Sequence, residues 1–507
     1  MRIQHTVKLM AVGFIGAKPG VVTLSLLLSA GVSAQIAMTP VQPELFKDPQ
    51  GQSNAWGDYD GDGDLDLVVL FRDAPVRLYE NQEGVFVDVA PDSGLPIDGG
   101  NPRSVAWGDY DKDGDLDLYI GYSGFDGPRN RLMQNRSSEG KAGFVDVAPQ
   151  AGVDIQSITR QVSFIDFDAD GDLDLYVALR SGANRLFKNA GGGFEDVTFK
   201  IGIAEPRRTV GACWFDMDQD GDLDLFTANQ NGDRDGVFRN DGERFTEIGM
   251  EMNMDQPRRP LADGSVDCAV ADYDNDGDLD LYVAEYGDDS LFRNNGDGSF
   301  TDIADKVGLA VHAHIVTGVW GDVQHDGFLD LYTVGYINGK PGAADYLFVN
   351  RDGQFVNQLP DVVARHDSDH GVQWADFDGD GDLDLALAAN DPAGSHYLFR
   401  NQLPADVASR SLQVLVLDQD GHYTRAGSEV RIYAAGTREL IATRLVDTAS
   451  GYNAQNAKPV HFGLPKAIDV DVEVTLMSPT GRQTRMFTNV DWRALSGSPF
   501  IVRVGAE

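Results

Sequence analysis

The sequence predicts an all-β chain: seven similar four-stranded units closed into a ring, with a smaller β-rich tail behind them. Three observations carry this reading. An aspartate-rich phrase recurs at nearly even spacing, each copy is flanked by short strand-like runs, and large aromatic residues return at one position of the repeat.

The phrase begins at Asp58, Asp109, Asp166, Asp216, Asp272, Asp322 and Asp376, at intervals of 50–57 residues. An apolar stretch such as SVAWG or GVQWA precedes each copy, and an alternating L-D-L-x-V run follows, the pattern of a half-buried strand. A third run ends in asparagine (RLYEN at 77–81, RLMQN at 131–135, RLFKN at 185–189), and a fourth reads F-x-D-V or F-x-D-I, as at Phe86–Asp88 and Phe300–Asp302. Four short strands per period describe one blade of a β-propeller, here a seven-bladed one over residues 44–402. The seventh unit reaches Asn401 and then meets Pro404 without an F-x-D phrase, which Glu44-Leu-Phe46-Lys-Asp48 carries at the other end of the chain. An N-terminal strand is therefore expected to complete the last blade and remove its open edge. Trp56, Trp107, Trp214, Trp320 and Trp374 stand two residues before the first aspartate of their units, with Phe164 and Val270 there in the others, as fillers of the wedges between blades.

The first loop runs Asp58-x-Asp60-x-Asp62-Gly63-Asp64-Leu65-Asp66. Side-chain oxygens at positions 1, 3, 5 and 9, with the main-chain carbonyl at position 7, can converge on one hard cation, and glycine at position 6 permits the sharp turn. Oxygen-only ligation by a flexible loop selects Ca²⁺ over Mg²⁺. An EF-hand would need Glu at position 12 and flanking helices, whereas position 12 here holds Val69, Ile120, Val177, Thr227, Val283, Thr333 or Leu387 within strand-like runs. Carboxylates a few ångströms apart repel by roughly 1 kcal/mol per pair even in water, so unneutralised turns would be strained. The expected ligand sets are Asp58, Asp60, Asp62, Asp64 and Asp66; Asp109, Asp111, Asp113, Asp115 and Asp117; Asp166, Asp168, Asp170, Asp172 and Asp174; Asp216, Asp218, Asp220, Asp222 and Asp224; Asp272, Asp274, Asp276, Asp278 and Asp280; and Asp376, Asp378, Asp380, Asp382 and Asp384. The sixth loop keeps Asp322, Asp326 and Asp330 but has Gln324 at position 3, so weak or absent binding is expected there.

The formal charge of −39, from 80 acids and 41 bases, argues against nucleic acid or an anionic membrane surface as partner. Residues 1–34 carry three bases, an apolar run at 21–32 and a small-x-small site at Val32-Ser33-Ala34. They read as a cleaved signal peptide that exports the chain to the periplasm or outside, and no other run is long enough to span a bilayer. Cys213 and Cys268 both lie in apolar stretches and read as two buried thiols. Asn135-Arg136-Ser137 has the spacing of a glycosylation sequon.

These repeats resemble the FG-GAP repeats, integrin-α-like and also grouped as VCBS repeats, over about residues 44–401. The resemblance implies a propeller with calcium in the loops between the first two strands of its blades. Residues 411–507 alternate in β fashion and read as a small β-sandwich-like domain. Their phrases Gly427-Ser-Glu-Val-Arg431, Ser450-Gly451-Tyr452, His461-Phe462-Gly463-Leu464 and Ser478-Pro-Thr-Gly481 are similar to the ASPIC/UnbV domain, which follows such propellers in bacterial secreted proteins and in the vertebrate cartilage acidic protein family.

Two function classes follow. One is a calcium-rigidified adhesion or recognition module for an extracellular protein or glycan. The other is a lyase- or isomerase-type enzyme acting on an anionic carbohydrate or acidic metabolite. Connections between blades carry Arg103, Arg160, Arg207, Arg208, Arg258, Arg259, His312, His314, His366 and His370 around one end of the channel. Arginine there could clamp a carboxylate or sulfate, and His314 or His370 could act as general base, with Arg160 and Arg208 as further catalytic candidates. No nucleophile elbow, HExxH, Walker loop or GxGxxG motif occurs.

Overall fold

The computed structural model describes residues 36–505 apart from 138–142, 258, 337–343, 365–369 and 496; the expected signal peptide lies outside the described residues. From Ile36 onward the chain forms one compact unit.

Each aspartate phrase joins two antiparallel strands. In the first unit Gly51–Gly57 pairs with Asp66–Phe71, which pairs with Arg77–Gln82 and then Val85–Asp88. The same order repeats in units whose innermost strands are Pro102–Gly108, Thr159–Ile165, Thr209–Phe215, Gly264–Ala271 and His312–Gly321. The seventh unit pairs Gly371–Ala375, Asp384–Ala388 and Leu398–Asn401. Every inner strand lies against those of the units before and after it, and Gly371–Ala375 returns to Gly51–Gly57, so the order is cyclic. Several inner strands are buried along their whole length, which explains why they read as apolar runs rather than as alternation.

The tryptophans sit where this packing needs volume. Trp56, Trp107, Trp214 and Trp374 are wholly buried, and the Trp107 and Trp320 indoles donate to the Ala55 and Ala269 carbonyls of the preceding inner strands at 3.4 and 3.2 Å. Trp320 is only half-buried.

Two expectations are corrected here. The strand added to the seventh unit is Met38–Pro40, paired Met38 to Asn401 and Pro40 to Phe399, not the phrase at 44–48. Residues 43–46 form a turn. Phe46 is 0 % exposed, with ring centroids 4.8 Å from Tyr79 and 5.4 Å from both Phe86 and Tyr397. The F-x-D resemblance at 44–48 therefore reflects packing at the seam between first and last units, and Pro40 is tolerated because it lies on an edge strand.

The second correction concerns sulfur. Cys213 and Cys268 form a disulfide with Cα atoms 6.1 Å apart, joining the inner strands of the fourth and fifth units. Their separation of 55 residues nearly equals the local repeat interval, so the ring brings them side by side. Closing a loop of that length constrains the unfolded chain. A Cys213→Ser/Cys268→Ser variant is expected to lose about 3–4 kcal/mol in chemical denaturation with metal present. An unchanged midpoint would exclude a stabilising role for the bridge.

Beyond Asn401 two further sheets face each other. One holds Val460–Gly463, Ser411–Leu417 and Phe500–Arg503; the other holds Leu440–Leu445, Glu429–Ala434, Val470–Leu476 and Gln483–Val490. They share a core of Leu412, Val414, Val430, Ile432, Phe462, Val472 and Trp492 among others. Between them, residues 447–458 leave the sheets and enter the ring. Thr448 Oγ1 donates to the Trp214 carbonyl at 2.8 Å, Asn453 O accepts from Val105, and Gln455 exchanges two bonds with the Phe164 backbone. Asn456 Oδ1 accepts from the Trp56 amide at 2.8 Å, and Gln373 Nε2 donates to Ser450 O at 2.5 Å. One segment can reach five inner strands around a ring only along its axis, so residues 447–458 fill the central channel.

Candidate metal centres and the channel mouth

All seven aspartate turns have the same internal wiring. The position-1 carboxylate accepts the amide of the position-6 glycine, from Gly63 to Asp58 at 3.1 Å through Gly381 to Asp376 at 3.0 Å. The position-5 carboxylate accepts the amide of position 7, as from Asp172 to Asp170 at 3.0 Å. These bonds fold the turn tightly enough that position 6 takes φ of 91–102°, open to glycine without a side-chain penalty. Position 4 is also left-handed in every turn, at 54–75°.

The position-9 carboxylate accepts two backbone amides, from position 2 of its own turn and from the asparagine that ends the third strand; for Asp66 these are Tyr59 at 3.1 Å and Asn81 at 2.8 Å. That asparagine completes a latch which sequence reasoning noted but gave no role. Its side-chain amide donates to position 2 of the preceding unit's turn: Asn135 to Tyr59 O, Asn189 to Tyr110 O, Asn240 to Phe167 O, Asn294 to Met217 O, Asn350 to Tyr273 O and Asn401 to Val323 O, at 2.7–3.4 Å. Asn81 donates to Phe377 O at 2.7 Å and so joins the first unit to the last. Its recurrence in every unit was the available signal. Asn135, 1 % exposed and committed to this latch, is inaccessible as a glycosylation acceptor, which corrects the sequon reading.

With these bonds made, specific oxygens remain. Oδ1 of Asp166, Asp216, Asp272 and Asp376 at position 1, and of Asp111, Asp168 and Asp274 at position 3, are buried with no hydrogen-bond partner. Gln324 Oε1 at position 3 of the sixth turn is orphaned in the same way. A buried acceptor without a donor costs about 1–3 kcal/mol, more when charged, and here the same positions recur from turn to turn. Ligand oxygens of Asp58, Asp60 and Asp62; of Asp109, Asp111 and Asp117; of Asp166, Asp168 and Asp174; of Asp216, Asp218 and Asp224; and of Asp272, Asp274 and Asp276 lie within 4.8 Å of one another in each group. These all-oxygen donor sets can hold a hard metal ion.

The charge state points the same way. Burial, with neighbouring carboxylates adding to it, pushes Asp58 up to about 6, Asp166 to about 7, Asp66 to about 8 and Asp174 to about 9. Burial also lifts Asp117, Asp224, Asp280, Asp330 and Asp384 well above the carboxylate range. A bound cation reverses this by favouring the charged form. Lys188 reaches over Asp168 and Asp170, and Arg293 pairs with Asp274 and Asp276 at 2.7 and 2.6 Å, yet Oδ1 of Asp168 and of Asp274 stays unbonded.

The C-terminal sheets lie against these turns. Arg482 pairs with Asp216 at 3.2 Å, Arg431 donates to Gly277 O at 2.8 Å, Gln413 donates to Asp376 at 2.8 Å and His461 contacts Gly381 O at 2.8 Å. Glu429 ties Arg431 and Arg482 together at 2.8 and 2.5 Å.

At the far ends of the inner strands the structure separates the remaining candidates. Arg208 is half-exposed beside Asp233 at 3.2 Å, Arg207 pairs with Glu205 and Glu247, and Arg259 pairs with Asp235 at 3.0 Å. His312 is exposed and contacts Asp288 at 2.8 Å. His314 is exposed and lies 4.7 Å from the Tyr286 ring. Arg160 and His370, by contrast, are buried at 6 % and 1 % exposure and gather with Arg103 around Tyr452 of the channel segment. His366 and Arg258 lie outside the described residues.

The family model for the FG-GAP-like repeat matches residues 58–120, 166–227, 216–283 and 272–333, and that for the FG-GAP repeat matches 101–147, together just over half the chain. Cartilage acidic protein 1 of Xenopus tropicalis is 26 % identical over 456 residues, covering 82 % of this chain and 69 % of that protein. The Homo sapiens protein of the same name is 34 % identical over 128 residues, 24 % of this chain and 19 % of its own length. Among solved structures, BBS1N in complex with ARL6DN covers 73 % of this chain and 98 % of its own, at 13 % identity and a TM-score of 0.44. YCF48 bound to D1 peptide covers 73 % and 95 %, at 7 % identity and a TM-score of 0.43.

Proposed function

The chain belongs to the FG-GAP-repeat proteins, and from that premise we propose that it is an exported, calcium-rigidified recognition module for an extracellular protein or glycan. The observation that carries this is the recurrence of unpartnered buried oxygens at positions 1 and 3 of the turns. Asp58, Asp109, Asp166, Asp216, Asp272 and Asp376, with their position 3, 5, 7 and 9 partners, would hold calcium. Gln324 supplies a neutral oxygen to the sixth site alongside Asp322, Asp326 and Asp330, in place of a carboxylate. When bound, calcium supplies the positive charge that lets these carboxylates converge. The protein's own part is to hold the turns with the glycine and asparagine bonds and so fix the rims of the ring as a rigid surface.

The signal-like residues 1–34 and the Cys213–Cys268 disulfide both suit an oxidising compartment outside the cytosol. The C-terminal sheets, similar in wording to the ASPIC/UnbV domain, serve in this reading as a cap seated on the calcium turns and anchored through the channel. Extracellular calcium sites bind at about 10⁻⁴–10⁻³ M, so occupancy follows the calcium of the surroundings. The test is capture of extracellular-matrix proteins and arrayed glycans by the immobilised protein in calcium and in EDTA. Capture that disappears with EDTA and returns with calcium is expected. Capture of the same ligands at full strength in EDTA would end the proposal.

A further inference from the structure

We infer that the channel mouth remote from the aspartate turns is a binding site for a carboxylate carried on a ring, its charge held by Arg160 and Arg103 and its ring set against Tyr336 and His370. This rests on the recognition reading and names the chemistry of its ligand. Arg103 begins the second inner strand, whose other end runs into the Asp109 turn, so the two sites lie at opposite ends of the ring.

The arrangement starts from the channel segment. Ala454 and Gln455 pair in parallel with Val105 and Ala106, which brings Tyr452 level with Arg103. Arg103 donates through Nε and Nη2 to the Tyr452 hydroxyl at 3.2 and 2.6 Å, and its guanidinium lies 5.3 Å from that ring's centroid. Arg160 uses Nη1 on the Ser123 hydroxyl and the Thr159 carbonyl. Its Nε is buried without a partner, and its Nη2 bonds to no described residue. Nε and Nη2 form the side-on edge of a guanidinium, the edge that meets a carboxylate with two parallel hydrogen bonds.

Among the described residues the charge around this edge is one-sided. Arg103 and Arg180 lie near Arg160, and Arg72, Arg103 and Arg160 all act on His370. None of these four arginines forms an ion pair with a carboxylate among the described residues, although the chain as a whole carries a formal charge of −39. Elsewhere on the same rim Arg207, Arg208 and Arg259 each have an acid within salt-bridge distance. Burying a guanidinium with no counter-charge costs several kcal/mol, which an incoming anion would offset. Aromatic faces stand beside the charge. His370 lies near Tyr336 and Tyr452, with centroid distances of 4.1 and 5.0 Å, and its Nδ1 is a further buried, unpartnered polar atom. A flat ring bearing one carboxylate satisfies both features.

Sugar acids and aromatic acids share that chemistry, so both are assayed. Calcium-loaded full-length protein is titrated calorimetrically with D-glucuronate, with 4-hydroxybenzoate and with D-glucose as neutral control. One of the two acids is expected to bind, glucose is not, and the acid that binds identifies the source. Arg103→Gln, at a partly buried position, is expected to weaken binding about tenfold while the protein still folds with a calcium-dependent melting transition. Arg160→Gln should abolish binding, and if it fails to fold, Arg103→Gln decides alone. No binding of either acid at about 10 mM, or wild-type affinity in Arg103→Gln, overturns the inference. Wild-type protein that captures its extracellular ligand in calcium yet ignores both acids sinks this site and leaves the recognition reading intact; loss of capture as well sinks both.

Discussion

Stripping bound metal with EDTA is expected to lower the melting temperature by about 10–20 °C. A site with a dissociation constant near 10⁻⁴ M at about 1 mM calcium adds about 1.4 kcal/mol to the folded state by mass action. Six such sites, with little from a weak seventh, add about 8–9 kcal/mol, and a chain of this size shifts by one to two degrees per kcal/mol. The pH dependence should change sign with the metal. In the chelated protein the raised carboxyl pKa values, about 6 for Asp58, 7 for Asp166, 8 for Asp66 and 9 for Asp174, mean that folding favours the protonated acids. Their contribution is fully present below the unfolded value near 4 and is lost as pH rises through 6 to 9. Chelated protein should therefore melt higher at pH 5 than at pH 8. Calcium-loaded protein should melt lower at pH 5, because protons then compete with the ion. Scanning calorimetry at both pH values in calcium and in EDTA checks this. A melting temperature indifferent to EDTA at pH 8 would mean that the turns do not depend on metal.

Replacing Gly451 with alanine is expected to cost more than 3 kcal/mol, whereas Gly436→Ala should cost about 1 kcal/mol. Both glycines are left-handed, at φ of 61° and 70°, so the backbone penalty is shared. Gly436 has nothing within 4 Å of the site its Cβ would take. At Gly451 the new atom would lie 2.1 Å from the Val372 carbonyl oxygen and 2.7 Å from Gln373 Nε2, inside the channel. Relief requires the segment 447–458 to back away from the inner strands. That loosens the Ser450 and Asn453 bonds, whose partners would be left buried and unpaired. Urea denaturation of the two variants makes the comparison, with near-UV dichroism reporting the buried tryptophans. Equal losses would show that the segment is not seated as described.

Local physics explains what could be read ahead of the structure. Alternation in L-D-L-x-V, glycine at position 6 and tryptophan two residues before each turn are consequences of period-two strands, a left-handed backbone and wedge packing, and each leaves a mark in a few adjacent residues. Repetition then multiplied those marks seven times. The contacts that escaped are those between distant residues. Phe46 looked like part of a fourth strand because buried aromatics occur in either setting. Cys213 and Cys268 looked like thiols because only the ring makes their separation a short distance. Arg160 and Arg208 looked alike at the mouth, and burial beside Tyr452 against exposure beside Asp233 is what separates them.

The chain by itself determined the repeating blade, the clustering of its aspartates and the position of every turn, because those depend on interactions within about ten residues. Only the folded ring decided that Asn81 closes onto Phe377, that residues from beyond the last blade occupy the axis, and that arginines from separate blades share one mouth. Closure brings residues some 300 positions apart into hydrogen-bond range, and no local pattern encodes a neighbour that only closure supplies.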